Sequence, residues 1–144
     1  MIERTNVQVF IFTRYPNFQV LILKRTPERG GWYQPISGGI EQNETALEAI
    51  KREIFEETGI EIIKQIYDLN YNFKFTAPMS KKKMMDLCFA VEIDKIINIR
   101  LSQEHEKYMW CTEKEAKKIL KWKYNLIALE KLLKMIKKED LKTK

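Results

Sequence analysis

The chain is poor in the residues that usually build nitrogen and sulfur sites. Its 144 residues include one histidine, His105, and two cysteines, Cys88 and Cys111. A single histidine argues against a histidine-based zinc site. The cysteines sit in apolar, strand-like surroundings without CxxC spacing, which favours reduced buried thiols over a disulfide or a zinc ligand set. No apolar run approaches the ~20 residues of a membrane-spanning helix. The first residues, MIERTNVQVF, lack the charged, then apolar, then small-residue order of a secretory signal. A cytoplasmic location without membrane contact is therefore expected. With five glycines and four prolines, the chain has no repeat, low-complexity tract or linker. Residues 1–144 read as one domain, long enough to bury roughly two-thirds of its unfolded surface.

The formal charge of +6 is unevenly spread, and many lysines crowd the C-terminal third, from Lys114 to Lys138. A basic surface attracts anions, nucleic acid included. Here the lysines alternate with Leu126, Leu129, Leu132, Leu133 and Ile136, the pattern of an amphipathic helix with a solvated face. Nucleic acid is accordingly not the expected partner.

The densest chemistry lies between Gly38 and Ile60, GGIEQNETALEAIKREIFEETGI. Thr45-Ala46-Leu47-Glu48 has the form of a capping box, so a helix should start near Thr45. Its interior holds good helix formers, and Gly59 suits a left-handed cap that closes it after about Thr58. At about 100° per residue, Leu47, Ile50 and Ile54 form an apolar stripe. Glu53, Glu56 and Glu57, spaced i, i+3 and i+4, share another face. Close carboxylates repel one another unless a positive charge sits among them. A solvated face laced with ion pairs from Arg52 to Glu48 or Glu56 is one reading. The Gly38-Gly39 turn before the helix lets backbone approach closely, and hard oxygen ligands suit Mg²⁺ or Mn²⁺, which favours a metal site. Mg²⁺ commonly shares its coordination with substrate phosphate oxygens, so a di- or triphosphate is the expected substrate.

The spacing Gly38, Glu44, then Arg52-Glu53-Ile54-Phe55-Glu56-Glu57-Thr58-Gly59-Ile60 fills every specified position of the Nudix box, and the chain resembles Nudix hydrolases. That resemblance implies an α/β fold, a mixed β-sheet sandwiched between α-helices. The segment from Leu101 to Trp110, LSQEHEKYMW, followed by two helices, is similar to the C-terminal half of dihydroneopterin-triphosphate and nucleoside-triphosphate pyrophosphatases of this superfamily. The resemblance implies metal ligands at Gly38, Glu53, Glu56 and Glu57, with Glu104 joining from the loop before the last strand; Glu106 is its rival. It implies a water attack on phosphorus with Glu53 or Glu104 as base, and leaves Arg52 to orient carboxylates and Glu44 to brace the loop. Catalytic candidates are thus Glu53, Glu57, Glu104 and Arg52. His105 is expected to orient substrate or to cap the strand.

Substrate recognition is less determined by the sequence. Arg25, Arg29 and the Lys81-Lys82-Lys83 run are candidates to contact phosphates, and Trp32, Tyr33 or Phe75 to stack on a base or pterin ring, although aromatics beside strands are more often core and lysine loops more often solvated. Before the box stands Trp32-Tyr33-Gln34-Pro35-Ile36-Ser37, not a Phe-Pro-Lys-Gly type of sequence. The expected reaction is hydrolysis of a small nucleoside-triphosphate-like molecule, dihydroneopterin triphosphate or a (d)NTP, to a monophosphate and pyrophosphate. Diadenosine polyphosphates or RNA 5′ ends are the alternative. A nucleotide sensor without turnover is the alternative of another class, but such modules typically lose box carboxylates and none is missing here. Monomer and homodimer both remain open.

The remaining elements are read from composition. Val7–Thr13 and Phe18–Lys24 are β-rich runs joined through Tyr15-Pro16-Asn17. Residues 26–31 are a loop and 32–36 a short extended stretch. One or two strands are expected over 60–75, a polar loop over 76–83, and strands over 84–93 and 108–112. Thr112-Glu113-Lys114-Glu115 caps a helix to about Trp122, and a last helix covers Tyr124 to about Lys138.

Overall fold

The computed structural model describes residues 1–142. In chain order the elements are β1 (Arg4–Thr13), β2 (Gln19–Arg25), a 3₁₀ turn (Pro27–Arg29), β3 (Tyr33–Gln34), β4 (Ile36–Gly39), α1 (Ala46–Thr58), β5 (Gln65–Thr76), β6 (Lys83–Glu92), β7 (His105–Cys111), α2 (Glu113–Ile119) and α3 (Lys123–Lys142).

All seven strands join one mixed sheet. β1 runs parallel to β6 through nine residue pairs, and the other pairings are antiparallel. β2 stays beside β1 only at Phe12 and Thr13; β4 takes the same strand at Asn6 to Val9. The Gly38-Gly39 end of β4 is therefore held against the start of β1, while β2 continues with β3 and β7.

Alternation along β1 sends its side chains to two opposite cores. Val7, Val9 and Ile11 pack with Ala49, Ile50 and Ile54 of α1. Phe10 and Phe12 pack with Leu129, Leu132 and Leu133 of α3. Helices on both faces of a mixed sheet make the expected α/β sandwich. Each fully buried Ile or Leu contributes about 1.5–3 kcal/mol, so α1 and α3 are held chiefly by these stripes.

Local signals read well. Thr45 and Glu48 form the reciprocal capping box, and Gly59, at φ 78°, closes α1. Thr112 and Glu115 form the second box. Six details differ from the sequence reading. Leu47 is 53% exposed, and Ala49 takes its place in the α1 stripe, because the helix rests on the sheet one position further round. The segment 60–64 is irregular and β5 is a single strand, with a bulge between Asp68 and Tyr71 where Asn70 has φ 53°. β7 begins at His105, three residues before the expected start. α2 ends at Ile119, because Leu120 turns extended and bridges to Tyr33. The loop over 26–31 contains the 3₁₀ turn, and α3 continues four residues past Lys138.

Cys88 and Cys111 are free and buried, and burial pushes the Cys111 thiol up to about 11. Lys131, Lys134, Lys137 and Lys138 lie on the exposed side of α3, as a solvated face requires. Among the described residues no helix is long and apolar enough to cross a membrane.

Candidate active site

Arg52 is the centre of the carboxylate cluster on α1. Its Nε and Nη2 donate to both oxygens of Glu44 at 2.7 and 2.9 Å, and Nη2 also donates to the Gly39 carbonyl at 2.8 Å. Its Nη1 donates to Glu53 Oε1 at 2.8 Å and to Glu56 Oε2 at 3.4 Å. Glu48 is committed to the helix cap instead, which closes one of the two partners expected for Arg52. The fork of the guanidinium thus ties the loop after β4 to α1, as planar bidentate pairing allows. Arg52 and the amide of Glu41 hold the Glu44 carboxyl down at about 2.

Glu53 lies against the glycine turn. A Cβ added at Gly38 would fall 2.0 Å from its carboxyl carbon, so only glycine lets β4 come this close. Burial pushes the Glu53 carboxyl up to about 7 against the pull of Arg52, with Glu56 and Glu57 adding to the rise.

One helical turn on, buried Glu57 accepts from Ser102 Oγ at 2.7 Å, and its Oε2 lies 2.9 Å from His105 Nδ1. Burial opposes its charge, but these two partners outweigh burial and its pKa falls. Glu104 meets the same carboxylate, and desolvation followed by the Glu57 charge raises its pKa. Glu106, the rival, pairs with Lys24 instead. It is Glu104 that the fold brings to Glu57.

Among the described residues no three His, Cys, Asp or Glu side chains form a closed metal cage, since Arg52, His105 and Ser102 occupy part of the carboxylate capacity. Glu56 is half exposed and turned to Arg52. The donor set nonetheless fits a hard divalent cation. Carboxylates from α1 and from the loop residue just before β7 crowd one another, with a backbone cradle at Gly38 that a side chain would fill.

A cavity of about 270 Å³ opens beside this cluster, with Gly38 and Glu104 in its wall. Arg25, Arg29 and Trp32 line it, as does Phe75. Arg25 Nε donates to the Arg29 carbonyl at 2.8 Å, and its guanidinium lies 5.6 Å from the Trp32 ring centre. Tyr33 is not in the lining. Lys82 is also outside it: the β5–β6 loop presents Ala77 to Ser80 to the cavity and leaves Lys82 in solvent.

Sequence reasoning missed the polar floor, which consists of Asn6 and Gln8 of β1, Asp86 of β6 and Asn125 of α3. Two polar residues inside a strand next to Phe10 and Phe12 were the available signal. It also missed the link from Trp32 to Glu57. Trp32 Nε1 donates to Gln34 Oε1 at 2.9 Å, and Gln34 Nε2 lies 3.4 Å from His105 Nε2.

A mixed sheet between helices, with a glycine turn feeding a glutamate-rich helix beside a cavity, defines a Nudix fold with its signature helix. Residues 4–129 match the NUDIX domain family, and the chain belongs to it. The class hydrolyses pyrophosphate bonds, generally requires a divalent metal, and acts on small nucleotide substrates.

The chain is 36% identical over 117 residues to an RNA pyrophosphohydrolase of Helicobacter pylori, covering 73% of each. It is 28% identical over 141 residues to a dihydroneopterin triphosphate diphosphatase of Haemophilus influenzae, covering 89% of this chain and 86% of that protein. It spans only 27% of the length of an octanoyltransferase of Myxococcus xanthus, with which it is 32% identical over 97 residues. The crystal structure of a NUDIX hydrolase from Listeria monocytogenes superposes with a TM-score of 0.80 at 27% identity, covering 96% of this chain and 97% of the other.

Proposed function

We propose that this protein is a Mg²⁺-dependent hydrolase of a free triphosphate, dihydroneopterin triphosphate or a (d)NTP, releasing a monophosphate and pyrophosphate. The observation that carries the reading is the continuity of the carboxylate cluster with the cavity, since Gly38 and Glu104 belong to both. Glu53, Glu56, Glu57 and Glu104, with the Gly38 carbonyl, would hold Mg²⁺ or Mn²⁺; when bound, the cation neutralises charge on phosphate oxygens and acidifies water.

Glu53 or Glu104 takes the proton of the attacking water. Arg52 fixes the positions of Glu53, Glu56 and the loop, and does not line the cavity. Arg25 and Arg29 stand where a polyphosphate tail would pass Glu104, and Trp32 offers a ring face above them. The likeness to an RNA pyrophosphohydrolase favours a second reading, removal of pyrophosphate from an RNA 5′ end.

The test is a panel of dihydroneopterin triphosphate, dNTPs, NTPs, diadenosine polyphosphates, ADP-ribose and 5′-triphosphorylated RNA, with phosphate and pyrophosphate identified as products. Rapid Mg²⁺-dependent pyrophosphate release from a free triphosphate is expected. Preference for the RNA would transfer the reading to the second substrate, and ligand binding without turnover would make the protein a sensor. The Glu57→Gln variant should fold normally and lose metal-dependent turnover; near-normal activity would sink the metal assignment.

A further inference from the structure

We propose that the indole N–H of Trp32 and the amide of Gln34 are positioning groups for Glu57, acting on its carboxylate through His105. This rests on the hydrolase reading, in which Glu57 holds the cation, and it gives Trp32 a task separate from offering a ring face to substrate.

Four side chains stand in line from the cavity wall to α1. Trp32 Nε1 donates to Gln34 Oε1 at 2.9 Å. Gln34 is on β3 and His105 opens β7, the two neighbours of the end of β2. Their side chains meet at 3.4 Å between Gln34 Nε2 and His105 Nε2. The other ring nitrogen, Nδ1, lies 2.9 Å from Glu57 Oε2, and Ser102 Oγ donates to that same oxygen at 2.7 Å. Both donors therefore grip Glu57 by Oε2, and Oε1, which neither uses, is the oxygen offered to a cation. Gln34, His105 and Glu57 are buried, so the bonds in this line decide which way each group points.

Amide and imidazole are ambivalent, since each has a donor end and an acceptor end that can exchange places. An indole N–H only donates, and an ionised carboxylate only accepts. Trp32 thus sets the direction of the line from the cavity end. Gln34 turns its oxygen to Trp32 and its nitrogen to His105, Nε2 accepts, and the ring proton sits on Nδ1 and is donated to Glu57. Without the indole N–H the Gln34 amide is free to turn over. Its oxygen then draws the proton to Nε2 and sets a bare Nδ1 against Glu57. Buried hydrogen bonds in series polarise one another, so loss of the first weakens the last.

The indole is itself closely placed. Gly30, at φ 111°, lies under it, and a Cβ there would fall 2.0 Å from Trp32 Cζ3. Trp122, between α2 and α3, meets the ring edge to face at 5.4 Å. The 3₁₀ turn and the α2–α3 junction therefore fix one end of a line whose other end is on the glutamate-rich helix.

The first measurement needs no metal and no turnover. His105 is the only histidine in the chain, so long-range proton–nitrogen NMR of the imidazole reads one residue without assignment. At about pH 8, where an ordinary imidazole is neutral, the proton should be on Nδ1 with Nε2 bare. A proton on Nε2 or on both nitrogens, seen in the wild-type protein with no variant required, overturns the proposal. Trp32→Phe keeps an aromatic ring and loses the N–H; its two ring nitrogens should draw together in chemical shift. A spectrum unchanged from wild type overturns the proposal as well.

The second measurement is calorimetric titration with Mg²⁺ alone. With no nucleotide present nothing stacks on the indole, so a purely substrate-binding role for Trp32 would leave Mg²⁺ affinity unmoved. Trp32→Phe and Gln34→Met should each weaken Mg²⁺ binding by about ten-fold, the lower end for loss of an outer partner of a ligand. Wild-type affinity in the folded variants overturns the positioning role. The expected tautomer in a protein that binds no Mg²⁺ and hydrolyses no triphosphate supports the line of bonds and removes the hydrolase reading; turnover with the proton on Nε2 does the reverse.

Discussion

His105 Nδ1 lies 2.9 Å from Glu57 Oε2, and both side chains are buried. The other ring nitrogen faces Gln34 Nε2, whose amide is oriented because its oxygen accepts from Trp32. Gln34 is thus the donor to His105 Nε2, which leaves the imidazole proton on Nδ1, aimed at Glu57. The only histidine in the chain sets the direction of a carboxylate that the sequence had already singled out.

Removing that support should be felt at the cluster. His105→Ala is expected to lower Mg²⁺ affinity or kcat/KM by about 10–100-fold, the usual effect of losing an outer partner of a ligating carboxylate. Calorimetric titration with Mg²⁺ separates this from a loss of stability, and unchanged affinity together with unchanged kcat/KM would remove the positioning role.

Gly38→Ala tests the close approach of β4 to α1. The added methyl would sit 2.0 Å from the Glu53 carboxyl carbon, so that side chain must move. A displacement of this kind should cost on the order of 10²-fold in kcat/KM. A variant with normal melting behaviour and full activity would show that Glu53 does not need its present position.

Arg52→Lys keeps the charge but not the fork. An ammonium has three donors on one atom, against the five acceptor atoms that the guanidinium reaches in Glu44, Glu53, Glu56 and Gly39, so some of these acceptors lose their partner. About 1–3 kcal/mol of stability should be lost, read from the urea midpoint. A midpoint equal to wild type would mean that the network contributes nothing the lysine cannot replace.

The Glu53 carboxyl makes stability depend on pH. Its pKa is about 7 in the fold against 4.5 for an ordinary glutamate, mainly through burial. The protonated form therefore favours the folded state: that contribution is complete below pH 4.5 and is lost as the pH rises to about 7. In chelator, Glu53→Gln, which stays neutral, should be more stable than wild type by about 1–3 kcal/mol at pH 8. The gap should close toward pH 4.5, and urea unfolding across the range would expose a constant difference as the contrary result.

How much of this was legible beforehand depended on how local each feature is. The capping boxes at Thr45 and Thr112, the left-handed Gly59 and the carboxylate spacing on α1 involve residues within a few positions of one another. They could be read directly, as could the α3 stripe beneath its lysines. Leu47 was misread because helical periodicity gives a direction round the axis, not where the sheet lies. The start of β7 lies earlier than expected because Glu106 and Lys107 look like loop residues; the pairing of His105 and Lys107 with β2, on either side of Glu106, is what makes this stretch strand.

The sequence by itself determined the family, the metal-suited helix and the α/β architecture, since these follow from residue spacing and from apolar patterns a few residues long. Only the tertiary structure decided that Glu104, not Glu106, meets Glu57 and that Lys82 stays in solvent. It also decided that Gln8 and Asp86, 78 residues apart, share the floor of one cavity. These are matters of strand register and of where α3 stops covering the sheet. Such contacts join parts of the chain whose separation no local pattern records.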